Sequence, residues 1–351
     1  MARIWPAEWH PQSAVLLTWP HQYSDWAPML AQIEPVFIDI VSAIARHEAV
    51  IICCYDTPHG QTVRCKLESA NIDMAAIHFV ICQSNDTWTR DFGPLTVYEN
   101  GHPLLFDFTF NGWGNKDPWH LDNAITQCLS STELLQHLPV MQLGWVLEGG
   151  SIESDGQGTL LTTSRCLLNP SRNPQHDKTS IENHLKDCLG VTNFHWLEHG
   201  WLEGDDTDGH IDMLARFAAV DTIIYQGCDE PTYPAFESLQ AMEKELMALK
   251  TLEGQTYHLY KLPWPSAHFD AAGKRLPASY ANFLIINQAV LLPVYDDPAD
   301  NEAINLLTKV FPERRIIPID CSRIIEQHGS LHCLTMQLPA EAVNPNTGNP
   351  I

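Results

Sequence analysis

Positive charge is scarce in this sequence: 20 lysines and arginines stand against 43 aspartates and glutamates in 351 residues, a net charge of −23. A surface that acidic repels phosphate backbones and anionic lipid, which argues against nucleic acid or membrane as partner and suits a small cation. Long hydrophobic runs are also missing, none approaching the ~18 apolar residues of a membrane span. The segment MARIWPAEWHP (1–11) lacks the apolar stretch of a signal peptide. A GxGxxG loop and a Walker A loop are both absent, so nucleotide binding has no support, and no HExxH pair points to a zinc hydrolase. The ten cysteines include no CxxC pair, and several sit in apolar runs such as AVIICCY (49–55) and HFVICQ (78–83). A reduced thiol there behaves as a small hydrophobe. The expectation is a cytoplasmic chain with reduced cysteines.

What is present alternates. Met29, Ile33, Phe37, Ile40, Val41 and Ile44 recur at helical spacing within 28–47, and the β-branched run Val50–Cys54 follows. Ile77–Cys82, Leu104–Phe110 and Ile223–Gln226 also read as strands, and 123–137, 179–188, 238–249 and 300–310 as helices. SIESDGQGTLLTT (151–163) is a hairpin turning at Asp155-Gly156, and FLIINQAVLLPV (283–294) one turning at Asn287-Gln288. No clear sequence repeat is visible. The pattern predicts an α/β fold with several hairpins, which fits poorly with a purely parallel sheet. The long irregular stretches 84–96, 111–122, 164–178, 198–209, 263–281 and 320–332 are rich in Asn, Asp, Trp, Gly, His and Arg. Loops of that size in a compact domain tend to carry function.

Four segments hold reactive chemistry. HGSLHCLT (328–335) places Cys333 beside His332 after a flexible polar approach, unlike the other cysteines. A cysteine becomes a nucleophile when nearby charge or a base populates its thiolate. GDDTDGHIDML (204–214) supplies His210 and Asp212, which share one face if the segment is extended. This histidine can be a general base, half a metal site or a satisfied core residue, and Asp205, Asp206 and Asp208 can simply tie their loop. NDTWTRDFGPL (85–95) sets Asp91 near Trp88, the carboxylate and aromatic face that suit a planar guanidinium, while Arg90 and Asp91 are equally candidates for structural ion pairs. LEGGS (147–151) offers Glu148 at the mouth of a strand, to orient a histidine or as an ordinary acid.

Together these segments resemble the agmatine deiminase / bacterial peptidylarginine deiminase family of the guanidine-modifying superfamily. The resemblance runs nearly end to end, through PAEWHPQSAVLLTWP (6–20), DFTFNGWGNK (107–116), LNPSRNP (168–174), RLPASYANFLI (275–285) and SLHCLT. It implies a five-bladed propeller of ββαβ units, the pentein fold, around a central active site in one catalytic domain spanning 1–351. It implies Cys333 as nucleophile, His210 as general acid/base and Glu148 as the acid paired with that histidine. Asp91 and Asp212 become the carboxylates gripping the guanidinium, and Trp88 an aromatic neighbour in the channel. No cofactor or metal is implied. The expected reaction converts agmatine to N-carbamoylputrescine and ammonia through an amidino-cysteine. One departure is His328, where the family usually has a glycine. Family members are often homo-oligomers, and nothing in the sequence marks an interface. Deimination of free or peptidyl arginine, and amidinotransfer, are the neighbouring alternatives. A metal hydrolase using His210 and Asp212, or a tryptophan-rich binding module, are the distant ones.

Overall fold

The apolar runs become strands in five small sheets in this computed structural model, which describes residues 3–344. One plan recurs. Ile152–Ser154 and Thr159–Thr163 form an antiparallel hairpin, helix Lys178–Leu189 crosses over, and Asn193–Leu197 joins parallel to Thr159–Thr163. Ala215–Ala219, Thr222–Gln226, helix Phe236–Ala248 and His258–Leu262 follow the same order. So do Leu284–Ile286, Ala289–Val294, helix Asp300–Val310 and Arg315–Asp320. A fourth set is Leu95–Glu99, His102–Thr109, helix Ile125–Ser130 and Val140–Val146, with Arg3–Ile4 at its edge. In the fifth, Thr335–Pro339 runs antiparallel to Gln12–Thr18, which pairs in parallel with Ala49–Cys54 after helix Leu30–Ile44. Antiparallel partners need only a tight turn, whereas parallel ones need a crossover, and a helix supplies it. At the hairpin turns Gly156 and Gln288 take left-handed backbone, with φ of 73° and 63°.

Most expected elements appear near their predicted bounds, and the α/β class holds. The five-times-repeated order was invisible as a sequence repeat because only the order of elements is kept: residues differ, and the crossover helices run from 6 residues (Ile125–Ser130) to 15 (Leu30–Ile44). Helix Thr57–Ser69 went unpredicted, since among its residues only Gly60, Val63 and Leu67 are buried and no apolar stripe forms. The helix expected over 123–137 is shorter. A 3-10 turn, Asp122–Ala124, leads into Ile125–Ser130, where the hydroxyls of Ser130, Ser131 and Thr132 bond back to the carbonyls of Gln127, Cys128 and Leu129. Such bonds compete with helix continuation.

Two expectations are corrected. Ala27–Ile44 is, by length and composition, long and apolar enough to cross a membrane, with 18 residues and a mean hydropathy of 1.4. Its apolar positions Ile33, Phe37, Ile40, Val41 and Ile44 are nonetheless buried in the core, and Glu34 is ion-paired with Lys66. The cysteines are not all free either: Cys82, just past strand Ile77–Ile81, is bonded to Cys128 with Cα atoms 6.1 Å apart, leaving eight free cysteines. The two lie 46 residues apart, so only the packing of a strand end against a helix brings them together.

Candidate active site

The six side chains singled out by sequence come from four separate segments, each a short helical turn rather than a strand, and meet at one place. Segment 84–91 is pinned because Asp122 Oδ1 accepts from the backbone N–H of Asn85 (2.7 Å) and Asp86 (3.1 Å). It ends in the short buried helix Thr89–Phe92, which presents Asp91. The Asp91 carboxylate accepts from Gly150 N–H at 3.0 Å and from the Trp113 indole at 2.9 Å. Trp113 sits in left-handed backbone (φ 51°), a costly state for a bulky residue, and the Gly112–Asn115 turn that imposes it also aims its indole. A Cβ on Gly150 would lie 2.7 Å from His210 Nδ1 and 2.9 Å from Asp91 Oδ1, so only glycine fits between them.

His210 and Asp212 do not lie on an extended strand. Ile211–Met213 forms a 3-10 turn with His210 at its entry, and this tight turn, rather than strand alternation, delivers both side chains to the site. His210 Nδ1 is 3.5 Å from Asp91 Oδ1. Cys333 stands on another 3-10 turn, His332–Leu334, with its sulfur 3.7 Å from Asp212 Oδ2. Asn282 donates to that sulfur at 3.4 Å and accepts from His332 N–H at 2.8 Å. Glu148 is wholly buried; Arg172 donates to its Oε1 at 2.8 Å, and its Oε2 has no hydrogen-bond partner among the described residues. A carboxylate oxygen of Glu148, a ring nitrogen of His210 and the Cys166 sulfur lie within 4.8 Å of one another. This donor set suits a soft divalent cation, and it is equally an acid and a thiol held against an imidazole. Trp88, Asp91 and Cys333 line a cavity of about 340 Å³. Gly329 lies so close to the Trp88 ring that a Cβ would fall 2.2 Å from it.

Electrostatics divide the groups. Burial, with Asp212 and Glu148 nearby, raises the Asp91 pKa to about 6 against the pull of His210. Burial disfavours charge on His210, yet Asp91 in front of it and Glu148 beyond raise its pKa well above the ordinary value. Burial also works against the Asp212 carboxylate, but His332, His210 and Arg216 hold its pKa low. Burial, Asp212 and Asp91 together push the Cys333 thiol well above the usual range. At the cavity mouth, burial and Asp25 raise Asp86 to about 7, and burial with Asp205 and Asp117 raises Asp206 to about 6.

All six predicted residues converge, and the residues around them sort out their roles. Arg90 belongs to a buried ion network, 3.5 Å from Glu8, whereas Asp91 faces His210. Asp205 ties its loop, accepting from the N–H groups of Thr207 and Gly209, while Asp206 lines the cavity. His328 takes left-handed backbone (φ 68°), bonds to the Gly204 carbonyl at 2.9 Å and lines the mouth. Sequence reasoning missed Asn282, Trp113, Arg172, Cys166 and Glu8. Glu8, Trp113, Arg172 and Asn282 lie inside four of the resemblance segments, but no residue spacing relates any of them to its target.

A thiol, an imidazole and buried carboxylates converging at the foot of a cavity in an α/β scaffold define an enzyme. The particular family follows from comparison: the Porphyromonas-type peptidyl-arginine deiminase model matches residues 4–339, and the chain belongs to that family. An agmatine deiminase of Stutzerimonas stutzeri is 34% identical, covering 96% of each chain. A solved candidate arginine deiminase from Porphyromonas gingivalis is 44% identical with a TM-score of 0.89, over 97% of this chain and 99% of its own. A Cys-to-Ser variant of the C. jejuni agmatine deiminase, solved with substrate bound, is 35% identical with a TM-score of 0.88, over 96% of each chain.

Proposed function

We propose that the protein hydrolyses agmatine to N-carbamoylputrescine and ammonia, with Cys333 as nucleophile and His210 as general acid and base. Glu148 supports His210, Asp91 and Asp212 grip the guanidinium, and Trp88 walls the channel. The observation that carries this is the Cys333 sulfur 3.7 Å from Asp212, at the foot of a cavity that Asp91 and Trp88 also line. A guanidinium is resonance-stabilised and a poor electrophile, so orientation against the sulfur is the first requirement. The bound cation also offsets the two acids that raise the thiol pKa, favouring the thiolate at the moment it is needed.

The thiolate adds to the guanidinium carbon, forming the C–S bond and a tetrahedral adduct. His210, protonated beforehand by its acidic surroundings, gives its proton to one nitrogen, and the C–N bond breaks to release ammonia. An amidino-cysteine remains. His210, now neutral, takes a proton from water, whose oxygen adds to the same carbon. As the C–S bond breaks, the adduct's hydroxyl proton passes to solvent, returning the thiolate and leaving the neutral ureido product.

Agmatine is preferred over arginine because of what lines the mouth. Asp25, Asp86, Asp117 and Asp206 surround the cavity, and neither lysine nor arginine is among its lining residues. A second cationic group is welcome there, whereas a substrate carboxylate would meet four aspartates and no lysine or arginine. The high identity to the P. gingivalis chain favours the alternative, deimination of free or peptidyl arginine. Offering the purified protein agmatine, arginine and an arginyl peptide separates them: agmatine should give the fastest ureido production, and faster turnover of either arginine compound overturns the choice. Cys333→Ala should bind agmatine without turnover.

We further read the five sheets as blades of a five-bladed pentein propeller around this site, forming one catalytic domain over 1–351. Residues 1–2 and 345–351 of that span lie outside the described residues. The recurring order of hairpin, helix and parallel strand supports it. Cytoplasmic residence rests on the eight free cysteines, against the one disulfide.

A further inference from the structure

Behind Asp212 lies a row of buried charges that the mechanism above does not use. Glu8, from the PAEWHPQ segment, sends Oε2 to within 2.7 Å of His332 Nε2, and His332 Nδ1 is 2.8 Å from Asp212 Oδ2. All three side chains are at most 4% exposed. The other Glu8 oxygen accepts from Ile285 N–H at 2.7 Å, and the other Asp212 oxygen, Oδ1, has no hydrogen-bond partner among the described residues. One oxygen of the gripping carboxylate is thus anchored from behind while its second stays free for a ligand.

Hydrogen-bond stereochemistry fixes the number of protons in this row. An ionised carboxylate can only accept, and a neutral imidazole has a single N–H to donate. Two bridges need two hydrogens. Either both ring nitrogens carry one, or one carboxyl does; in every case Glu8, His332 and Asp212 together bear one negative charge rather than two. The same hydrogen therefore aims Asp212 and halves the negative charge of the row behind Cys333.

We propose that Glu8 is a positioning residue for Asp212, acting through a doubly protonated His332. Arg216 at 2.9 Å and Arg90 at 3.5 Å flank Glu8, and Arg216 is itself bonded to Glu153 at 2.8 Å. Burial works against charge on Glu8, but Arg216, His332 and Arg90 hold its pKa low, and Asp212 is lowered too, so neither acid competes for the second hydrogen. Burial, Arg216 and Arg90 outweigh Glu8 and Asp212 and hold the His332 pKa below its ordinary value, so the second ring hydrogen rests on the two short bridges rather than on the surrounding field. Asp91 and Cys333 complete the groups facing Asp212.

The proposal rests on the deiminase reading only for the substrate used in its test. In protein with 15N-labelled histidine, the His332 ring, assigned by its loss in His332→Gln, should show hydrogen on both nitrogens at pH 7. In Glu8→Gln one should remain, because the carboxamide can donate to Nε2 while Nδ1–H still holds Asp212. Glu8→Leu should raise KM for agmatine about tenfold or more, with kcat changed less, and Glu8→Gln should recover most of that. A native ring with one N–H overturns the proposal, as does a folded Glu8→Leu with unchanged KM. The resonance measurement needs no variant beyond the assignment, so it decides the matter if Glu8→Leu fails to fold. It also needs no turnover, so absent agmatine activity would count against the function and leave this test standing.

Discussion

Removing the charge of Asp212 should make the nucleophile more reactive while destroying the enzyme. The sulfur of Cys333 lies 3.7 Å from Asp212 Oδ2. At an effective dielectric of about 20, two unit charges at such a distance repel by ~4 kcal/mol. His332 already offsets part of that field, so a net effect of about 1.4–2.8 kcal/mol is the reasonable expectation, or ~10–100-fold in thiolate population. Asp212→Asn should therefore raise the rate at which neutral iodoacetamide alkylates Cys333 at pH 8 by about that factor, read by mass spectrometry of the peptide carrying it. The same variant should lose agmatine turnover, because half of the cation's grip is gone. A cationic haloacetamidine, which profits from Asp212 as the substrate does, should lose its advantage over the neutral probe. Alkylation by iodoacetamide that is unchanged or slower in Asp212→Asn would refute the electrostatic account of a thiol suppressed until the cation arrives.

Gly150→Ala should cost turnover about 100-fold or more, since its Cβ would fall 2.7 Å from His210 Nδ1 and 2.9 Å from Asp91 Oδ1; circular dichroism should show the fold retained. Asp91 and Asp206 have pKa values raised to about 6 and Asp86 to about 7, so as pH falls from 8 to 6 Asp86 becomes largely protonated and Asp91 and Asp206 about half, weakening their attraction for a cation. KM for agmatine should accordingly rise on acidification, and binding near pH 6.5 should release protons, measurable by calorimetry in buffers of different ionisation heat. Zinc should inhibit by occupying Glu148, Cys166 and His210, and EDTA should restore activity; Cys166→Ala should need more zinc for the same fractional inhibition. Cys128→Ser should lower stability by ~2–4 kcal/mol, the usual effect of opening a disulfide-closed loop, with urea denaturation under non-reducing conditions as the measure.

Much of this was legible in the sequence, for identifiable reasons. Helices with an apolar stripe, such as Leu30–Ile44, and hairpins with a turn signal at Gly156 or Gln288 announce themselves locally. Helix Thr57–Ser69 has no such stripe, and its existence follows from the need to return the chain between parallel strands. The reactive residues were legible because their segments are locally unusual, but their convergence is a long-range fact. His210 and Asp212 were expected to share a strand face and instead reach the site from a 3-10 turn. Asn282, Trp113 and Glu8 touch site residues 51, 22 and 324 positions away. No period or spacing encodes contacts of that range; they arise when separate sheets are packed together.

The nucleophile's perch depends on the opposite end of the chain. Cys333 stands two residues before Thr335–Pro339, and that strand has its place only against Gln12–Thr18 from near the opposite terminus. The sulfur is thus seated by a pairing between strands far apart in sequence. With Cys333 as the proposed nucleophile, a substitution that loosens Gln12–Thr18 should free the sulfur from Asp212 while leaving the other four sheets paired.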